Sequence, residues 1–306
     1  MVRLIWRVTG VGSEIGRAIA ERFDHEAAEV DAQDINCAGA RVFRMTERRG
    51  SMARIVRYEH NGTSGWGELR DEQVFPLNGS FPEFAPGSGN TLALSEVKLL
   101  APVVPGKIVA IGPGYKIYMQ GGPEPERPHY WIKAANTVQD PEGEIVLPPG
   151  LTVNHEAEIA IVIGKRARKV APEQAMHHVF GYTCCIDVTA GDMSDMLAYQ
   201  QSQLFLDGKI FDTFAPLGPC IATDLDTSNL RIQCRVNGET RQDHRTSDKL
   251  FEYDRLVSMI SHVLTLEPGD VITTGSVPGV APMAPGDLIE LEIEGIGTLR
   301  NRAVAG

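Results

Sequence analysis

Two glutamates one residue apart, Glu156 and Glu158, lie in the run Asn154-His155-Glu156-Ala157-Glu158-Ile159-Ala160-Ile161-Val162-Ile163-Gly164. A β-strand sends residues i and i+2 to the same face. Glu156, Glu158, Ala160 and Val162 then share one face, while Ala157, Ile159, Ile161 and Ile163 form an apolar face toward the core. Paired carboxylates on a half-buried strand repel each other. A hard cation between them relieves that repulsion, since Mg2+, Mn2+ and Ca2+ take oxygen ligands. A third acid, Asp187, lies in a second strand-like run, Gly181-Tyr182-Thr183-Cys184-Cys185-Ile186-Asp187-Val188-Thr189-Ala190. Two acids from one strand and one from a neighbour make a facial set of three oxygen donors, with positions left open for water and substrate. The same spacing recurs in Glu290-Leu291-Glu292-Ile293-Glu294, where it reads as a solvated strand face, so spacing alone does not choose.

The elements that must position these acids belong to a chain of 306 residues, long enough for a sizeable core. Its 42% hydrophobic content is that of a soluble globular protein, and no apolar run approaches the ~18 residues of a membrane helix. A net charge of −11 argues against nucleic acid and anionic membranes as partners, because both require basic patches. The five cysteines, Cys37, Cys184, Cys185, Cys220 and Cys234, form no Cys-x-x-Cys pair, so they read as small buried residues of a cytoplasmic protein rather than as zinc ligands.

Residues 1–50 read as one βαβ unit. Thr9-Gly10-Val11-Gly12-Ser13-Glu14-Ile15-Gly16 stands at its first turn and Asp34 where a ribose-binding acid would be. This segment resembles the start of a short-chain dehydrogenase, but Glu14 opposes a phosphate, the fold stops after one unit, and no Tyr-x-x-x-Lys follows. It is therefore expected to be vestigial, with Met52 the natural beginning and no NAD cofactor. From Met52 the pattern becomes short strands with Asn-Gly and Gly turns, predicting a small β domain over 52–100. Residues 101–306 read as strands with helices near 172–179, 192–205 and 253–262, a β-rich α+β class rather than a parallel doubly wound sheet.

From about Met52 onward the chain resembles the fumarylacetoacetate hydrolase family. The matching stretches are Lys107–Gly112, the Glu156-Ala157-Glu158 strand, Gly181–Asp187, Lys209–Pro219, Val236–Glu239, Leu266–Gly275 and Glu294–Asn301, in the family's order. The resemblance implies a mixed β-roll of that family's C-terminal type as the catalytic domain, and a homodimer. It implies Mg2+ or Mn2+, with Ca2+ also compatible with the donors, held by Glu156, Glu158 and Asp187. Lys209 would face the same site and hold a carboxylate or enolate oxygen. Ser276 would donate to the keto-acid end of the substrate, with Thr274 and Tyr118 beside it.

The implied reaction is on a 2-keto or 1,3-diketo acid of acylpyruvate type, through a metal-stabilised enolate. It would proceed by C–C hydrolysis, isomerisation or decarboxylation, with hydrolase the family's label. Dehydration of a 3-deoxy-2-keto sugar acid and non-catalytic binding of metal and keto acid are the alternatives, with an NAD-dependent oxidoreductase a more distant one. The lid departs from the family pattern. Tyr118 and Gly121 stand where many members carry a His and a Glu that activate water, and Gly191 stands where many carry Arg. A phenol is a poor base at neutral pH, which counts against water attack. Glu124, Glu126 and His129 follow on the lid, Asp192 follows Gly191, and strand alternation turns His155 away from the acids.

Overall fold

The computed structural model describes residues 52–194 and 196–306. The strands run β1 Arg54–His60, β2 Thr63–Arg70, β3 Gln73–Ser80, β4 Glu83–Pro86, β5 Leu92–Ala93, β6 Lys98–Leu100, β7 Ile108–Gly112, β8 His129–Lys133, β9 Val138–Gln139, β10 Glu144–Leu147, β11 Val153–His155 and β12 Ala157–Ile163. They continue as β13 Val179–Ile186, β14 Thr189–Ala190, β15 Ala215–Ala222, β16 Arg231–Val236, β17 Glu239–Arg245, β18 Val271–Thr273, β19 Ala281–Pro282, β20 Leu288–Ile293 and β21 Gly297–Ala305. The α-helices are α1 Pro172–Ala175, α2 Met196–Gln201, α3 Leu204–Asp207 and α4 Tyr253–Val263. The helix expected over 192–205 is thus two short helices, and the class is β-rich α+β as the sequence implies. The βαβ unit expected over 1–50, Asp34 included, lies outside the described residues.

Asn-Gly pairs set two of the hairpins. Asn61 and Gly62 both take positive φ between β1 and β2, as Asn237 and Gly238 do between β16 and β17, the backbone that a two-residue hairpin loop demands. The main sheet runs β4-β3-β2-β1-β15-β13-β12-β18-β7-β8. Strand β1 pairs with β15 through Arg54↔Ala222 and Ile55↔Ile221, so the N-terminal meander shares a sheet with the later strands. A second sheet, β10-β21-β20-β16-β17, contributes Ile232, Cys234, Leu291, Ile293 and Leu299 to the core that holds Ile159, Ile161 and Cys184. Helix α4 buries Tyr253, Leu256, Val257 and Ile260 in this core, the i, i+3, i+4, i+7 stripe of an amphipathic helix. Among the described residues no helix is long and apolar enough to cross a membrane.

The reading of Glu156-Ala157-Glu158 as one half-buried strand needs correction in two respects. Strand β12 lies between β13 and β18, and all seven of its residues are buried, so the near-continuous apolar run marks a strand covered on both faces. Glu156 belongs to neither β11 nor β12. It is the residue at which the chain leaves the small sheet β14-β11-β19 and enters the main one. By contrast, Glu290 and Glu292 on β20 pair with Arg300 and Arg235 at the surface, a solvated face as the sequence suggests.

Candidate metal centre

The corner at Glu156 is what gathers the acids. Strand β13 ends opposite β12 with Ala157↔Ile186 in register, and the next amide, of Asp187, donates to the Glu156 carbonyl at 2.9 Å. Asp187 is thereby fixed beside both glutamates. Carboxylate oxygens of Glu156, Glu158 and Asp187 lie within 4.8 Å of one another. Glu158 and Asp187 are fully buried, and Glu156 is partly open. The Gly275 amide donates to Glu158 Oε2 at 2.6 Å, whereas Glu158 Oε1 is buried with no hydrogen-bond partner. An orphaned carboxylate oxygen is costly to bury. Three hard oxygen donors around it fit Mg2+ or Mn2+.

Two ammonium groups face the acids. Lys209, 6% exposed, donates to Asp187 Oδ2 at 2.5 Å and to Thr189 Oγ1 at 2.8 Å, and lies 3.4 Å from Glu156 Oε1 and 5.6 Å from the Trp131 ring centroid. Lys133, at the end of β8, is entirely buried. Its Nζ donates to the Val188 carbonyl at 3.0 Å and approaches Asp187 Oδ1 at 2.6 Å, as a charge contact outside hydrogen-bond alignment. Thr189 Oγ1 in turn donates to Glu156 Oε1.

Burial and charge pull these groups apart. Burial, then Asp187 and Glu156, push the Glu158 carboxyl well above its usual range. Burial also raises Glu156, against the opposing pull of Lys209. Burial would raise Asp187 too, but Lys133 and Lys209 outweigh it and hold that carboxyl below the ordinary value. Burial works against the Lys209 ammonium, yet Asp187, Glu156 and Glu158 prevail and keep it charged. Lys133 is lowered by burial, with Asp187 pulling it back.

The lid segment leaves the end of β7. Gly114 and Gly275 cross so closely that a Cβ on Gly114 would lie 2.1 Å from the Thr274 carbonyl oxygen, which ties the base of the lid to the loop that holds Glu158. Tyr118 follows in a single 3-10 turn, Lys116–Met119, with its side chain partly open to solvent. Burial, then the charges of Glu156 and Glu158, raise its phenol and keep it protonated. Glu124 and Glu126 are exposed on the same segment, whereas His129, expected on the lid, is the exposed first residue of β8, paired with Gly112.

Thr274 and Ser276 flank Gly275, but their hydroxyls have protein partners. Thr274 Oγ1 donates to the Ile159 carbonyl at 2.9 Å, and Ser276 Oγ accepts from Gln242 Nε2 at 3.0 Å and donates to the Val277 carbonyl at 3.3 Å. The Ser276 hydroxyl proton is directed to this carbonyl. Asp192 is exposed and accepts from Ser194, away from the cluster.

Three further residues were not evident from the sequence. Lys133 sits opposite Asp187. Gln242 is fully buried, and its Oε1 accepts from the Ala157 amide at 3.1 Å and bonds His155 Nδ1 at 2.8 Å, holding His155 away from the acids. Tyr199 packs its ring where a side chain at position 191 would go, 2.2 Å from a Cβ built on Gly191, so a larger residue there has no room beside it. The one available hint was the alternation of β8, which turns Trp131 and Lys133 to the same side.

Compared with known proteins, residues 107–304 match the model described as "Fumarylacetoacetate (FAA) hydrolase C-terminal". The chain belongs to the fumarylacetoacetate hydrolase family. Residues 53–102 match the model "Rv2993c-like, N-terminal". The human mitochondrial oxaloacetate tautomerase FAHD2B is 40% identical over 70% of this chain and 71% of its own length. The solved 5-carboxymethyl-2-hydroxymuconate delta-isomerase from Mycobacterium smegmatis superposes with a TM-score of 0.75 at 35% identity, over 83% of this chain and 100% of that one. A maleylpyruvate hydrolase from Sphingobium sp. SYK-6, solved in complex with manganese(II) and pyruvate, gives 0.67 at 27% identity, over 83% and 99%. The family's enzymes thus include tautomerases, isomerases and hydrolases of keto acids.

Proposed function

We propose that this chain is a divalent-metal-dependent tautomerase or isomerase acting on a 2-keto acid of the oxaloacetate or acylpyruvate type. The observation that carries the reading is the buried Glu156–Glu158–Asp187 set faced by Lys209, beneath a lid whose catalytic pair is replaced by Tyr118 and Gly121. Glu156, Glu158 and Asp187 would hold Mg2+ or Mn2+, which supplies Lewis acidity toward the keto oxygen.

The chain's own groups do the rest. Lys209 presents a fixed positive charge to the substrate's carboxylate or enolate oxygen in a dry site, where such a contact is worth far more than in water. Tyr118, held protonated by burial and by Glu156 and Glu158, serves as a donor to an oxygen of the substrate and not as a base for water. Gly275 fixes Glu158 through its amide, and Thr274 and Ser276 stiffen that loop.

Keto–enol interconversion needs charge stabilisation at one oxygen and a proton exchanged at the neighbouring carbon: on ketonisation the enol oxygen gives up its proton to solvent and the carbon takes one up from solvent, with no bond formed from water to carbon. The relatives that act as tautomerase and isomerase support this outcome over C–C hydrolysis. The test is ketonisation of enol-oxaloacetate, followed by its ultraviolet absorbance with Mn2+ present, beside acylpyruvate cleavage. Metal-dependent ketonisation that is lost in Asp187→Asn is expected. Acylpyruvate cleavage faster than ketonisation, or no turnover of either substrate by folded, metal-supplied protein, would refute it.

A further inference from the structure

Lys133 and Lys209 divide Asp187 between them, one at each carboxylate oxygen, yet they are anchored differently. Lys209 comes from the loop after α3 and keeps a small opening to solvent. Lys133 closes strand β8, which pairs with β7 from Ile108↔Lys133 to Gly112↔His129. Its ammonium is also tied to the Val188 carbonyl, and Asp187 is its one carboxylate partner among the described residues. Moving Lys133 would strip a fully buried charge of its partners, so it stays while other groups exchange. A buried lysine at the back of a cation site is unfavourable to the cation, and its retention calls for a compensating ligand.

That ligand follows from the charges. With the three carboxylates ionised, as ligation of a cation requires, and both lysines protonated, these groups and one divalent cation carry a net charge of +1. Without Lys133 the same loaded centre would be neutral. We propose that Lys133 is a positioning residue whose fixed charge sets the centre's preference: it weakens the hold on the metal and strengthens the hold on an anionic keto acid. This rests on the metal-centre reading above and extends it to the choice of substrate class, an acid that arrives with its negative charge intact.

The two effects have opposite signs, which a loosened or damaged site cannot reproduce. The probes are Mn2+ alone and oxalate added to the Mn2+-saturated protein, both by calorimetry, on wild type and Lys133→Met. At the few ångströms involved, loss of one charge is expected to tighten Mn2+ and weaken oxalate, each by roughly tenfold or more. Weakening of both ligands, or no change in either, overturns the proposal. Circular dichroism checks the fold, and Lys133→Gln, which can still donate to the Val188 carbonyl, replaces the methionine variant if that one is unfolded. Wild-type protein that fails to bind Mn2+ would overturn the metal centre itself, an outcome distinct from same-direction shifts in the variant.

Discussion

Replacing Lys209 by methionine removes the ammonium between Asp187 Oδ2, Thr189 and Glu156 while keeping most of its volume. In the metal-free protein this leaves Asp187 paired with Lys133 alone, and Glu156 and Glu158 with no ammonium partner among the described residues. Breaking a buried pair from one side costs about 3–5 kcal/mol, and both members here are almost wholly inaccessible, so solvent screening removes little of it. With Mn2+ saturating, the cation takes over the neutralisation that the ammonium provided. Most of the lost stability should then return through binding to the folded state alone, leaving a deficit of about 1–2 kcal/mol for the hydrogen bonds to Asp187 and Thr189. Urea unfolding of wild type and Lys209→Met, each with and without Mn2+, measures both quantities. The metal should stabilise the variant more than it stabilises the wild type. Ketonisation by the metal-loaded variant should fall by roughly 10²–10³, the usual loss when an oxyanion donor is removed. A variant destabilised equally with and without Mn2+ would refute the idea that ammonium and cation serve the same carboxylates. So would a variant with unchanged stability.

Tyr118→Phe removes the phenolic donor and leaves the metal ligands in place. Turnover should drop about 10–100-fold, the equivalent of one hydrogen bond to a charged group, with Mn2+ affinity unchanged; rate and calorimetry together check this. His155 gives a pH signature. Burial lowers its pKa against the opposing pull of Gln242, so the unfolded chain takes up a proton at higher pH than the folded one. Stability from this residue is complete above its unfolded value of about 6.5 and falls as pH drops below it, by up to ~1.4 kcal/mol per pH unit until the folded value is reached. Urea midpoints between pH 7.5 and pH 5 should fall more steeply for wild type than for His155→Gln, and parallel curves would contradict the assignment (pH limits chosen about one unit or more either side of the unfolded value).

The acids were legible in the sequence because their spacing is local: Glu156 and Glu158 are two residues apart, and Asp187 closes a recognisable apolar run. Lys209 followed from its place in an ordered series of matching stretches. The corner at Glu156 was not legible, since nothing in Asn154–Glu158 marks the residue at which one sheet hands the chain to another. Lys133 and Gln242 were missed for a related reason. Lys133 meets Val188 across 55 residues of sequence and Gln242 meets His155 across 87, and which strands pair over such distances is decided by the whole sheet. The partners of the Ser276 hydroxyl were not legible either. A hydroxyl's partner depends on a side chain from β17 that the local motif does not contain.

The substituted positions gain a common meaning once the geometry is known. Around three carboxylates the site sets two ammoniums and the Tyr118 phenol, with the Tyr199 ring filling the space above Gly191. Burial raises the Tyr199 phenol as well, and Lys209 only partly offsets it. The two ammoniums and the Tyr118 phenol are donors. Among the described residues His155 is turned to Gln242, and His129 is held in strand β8 opposite Gly112 with its side chain exposed. A wall of donors stabilises negative charge on substrate oxygens but does not deprotonate water, so the same substitutions that weaken a hydrolytic reading leave enolate chemistry intact. If Tyr118→His and Gly121→Glu were combined, a base would be added to the proposed enolate site, and acylpyruvate cleavage is the activity that should rise.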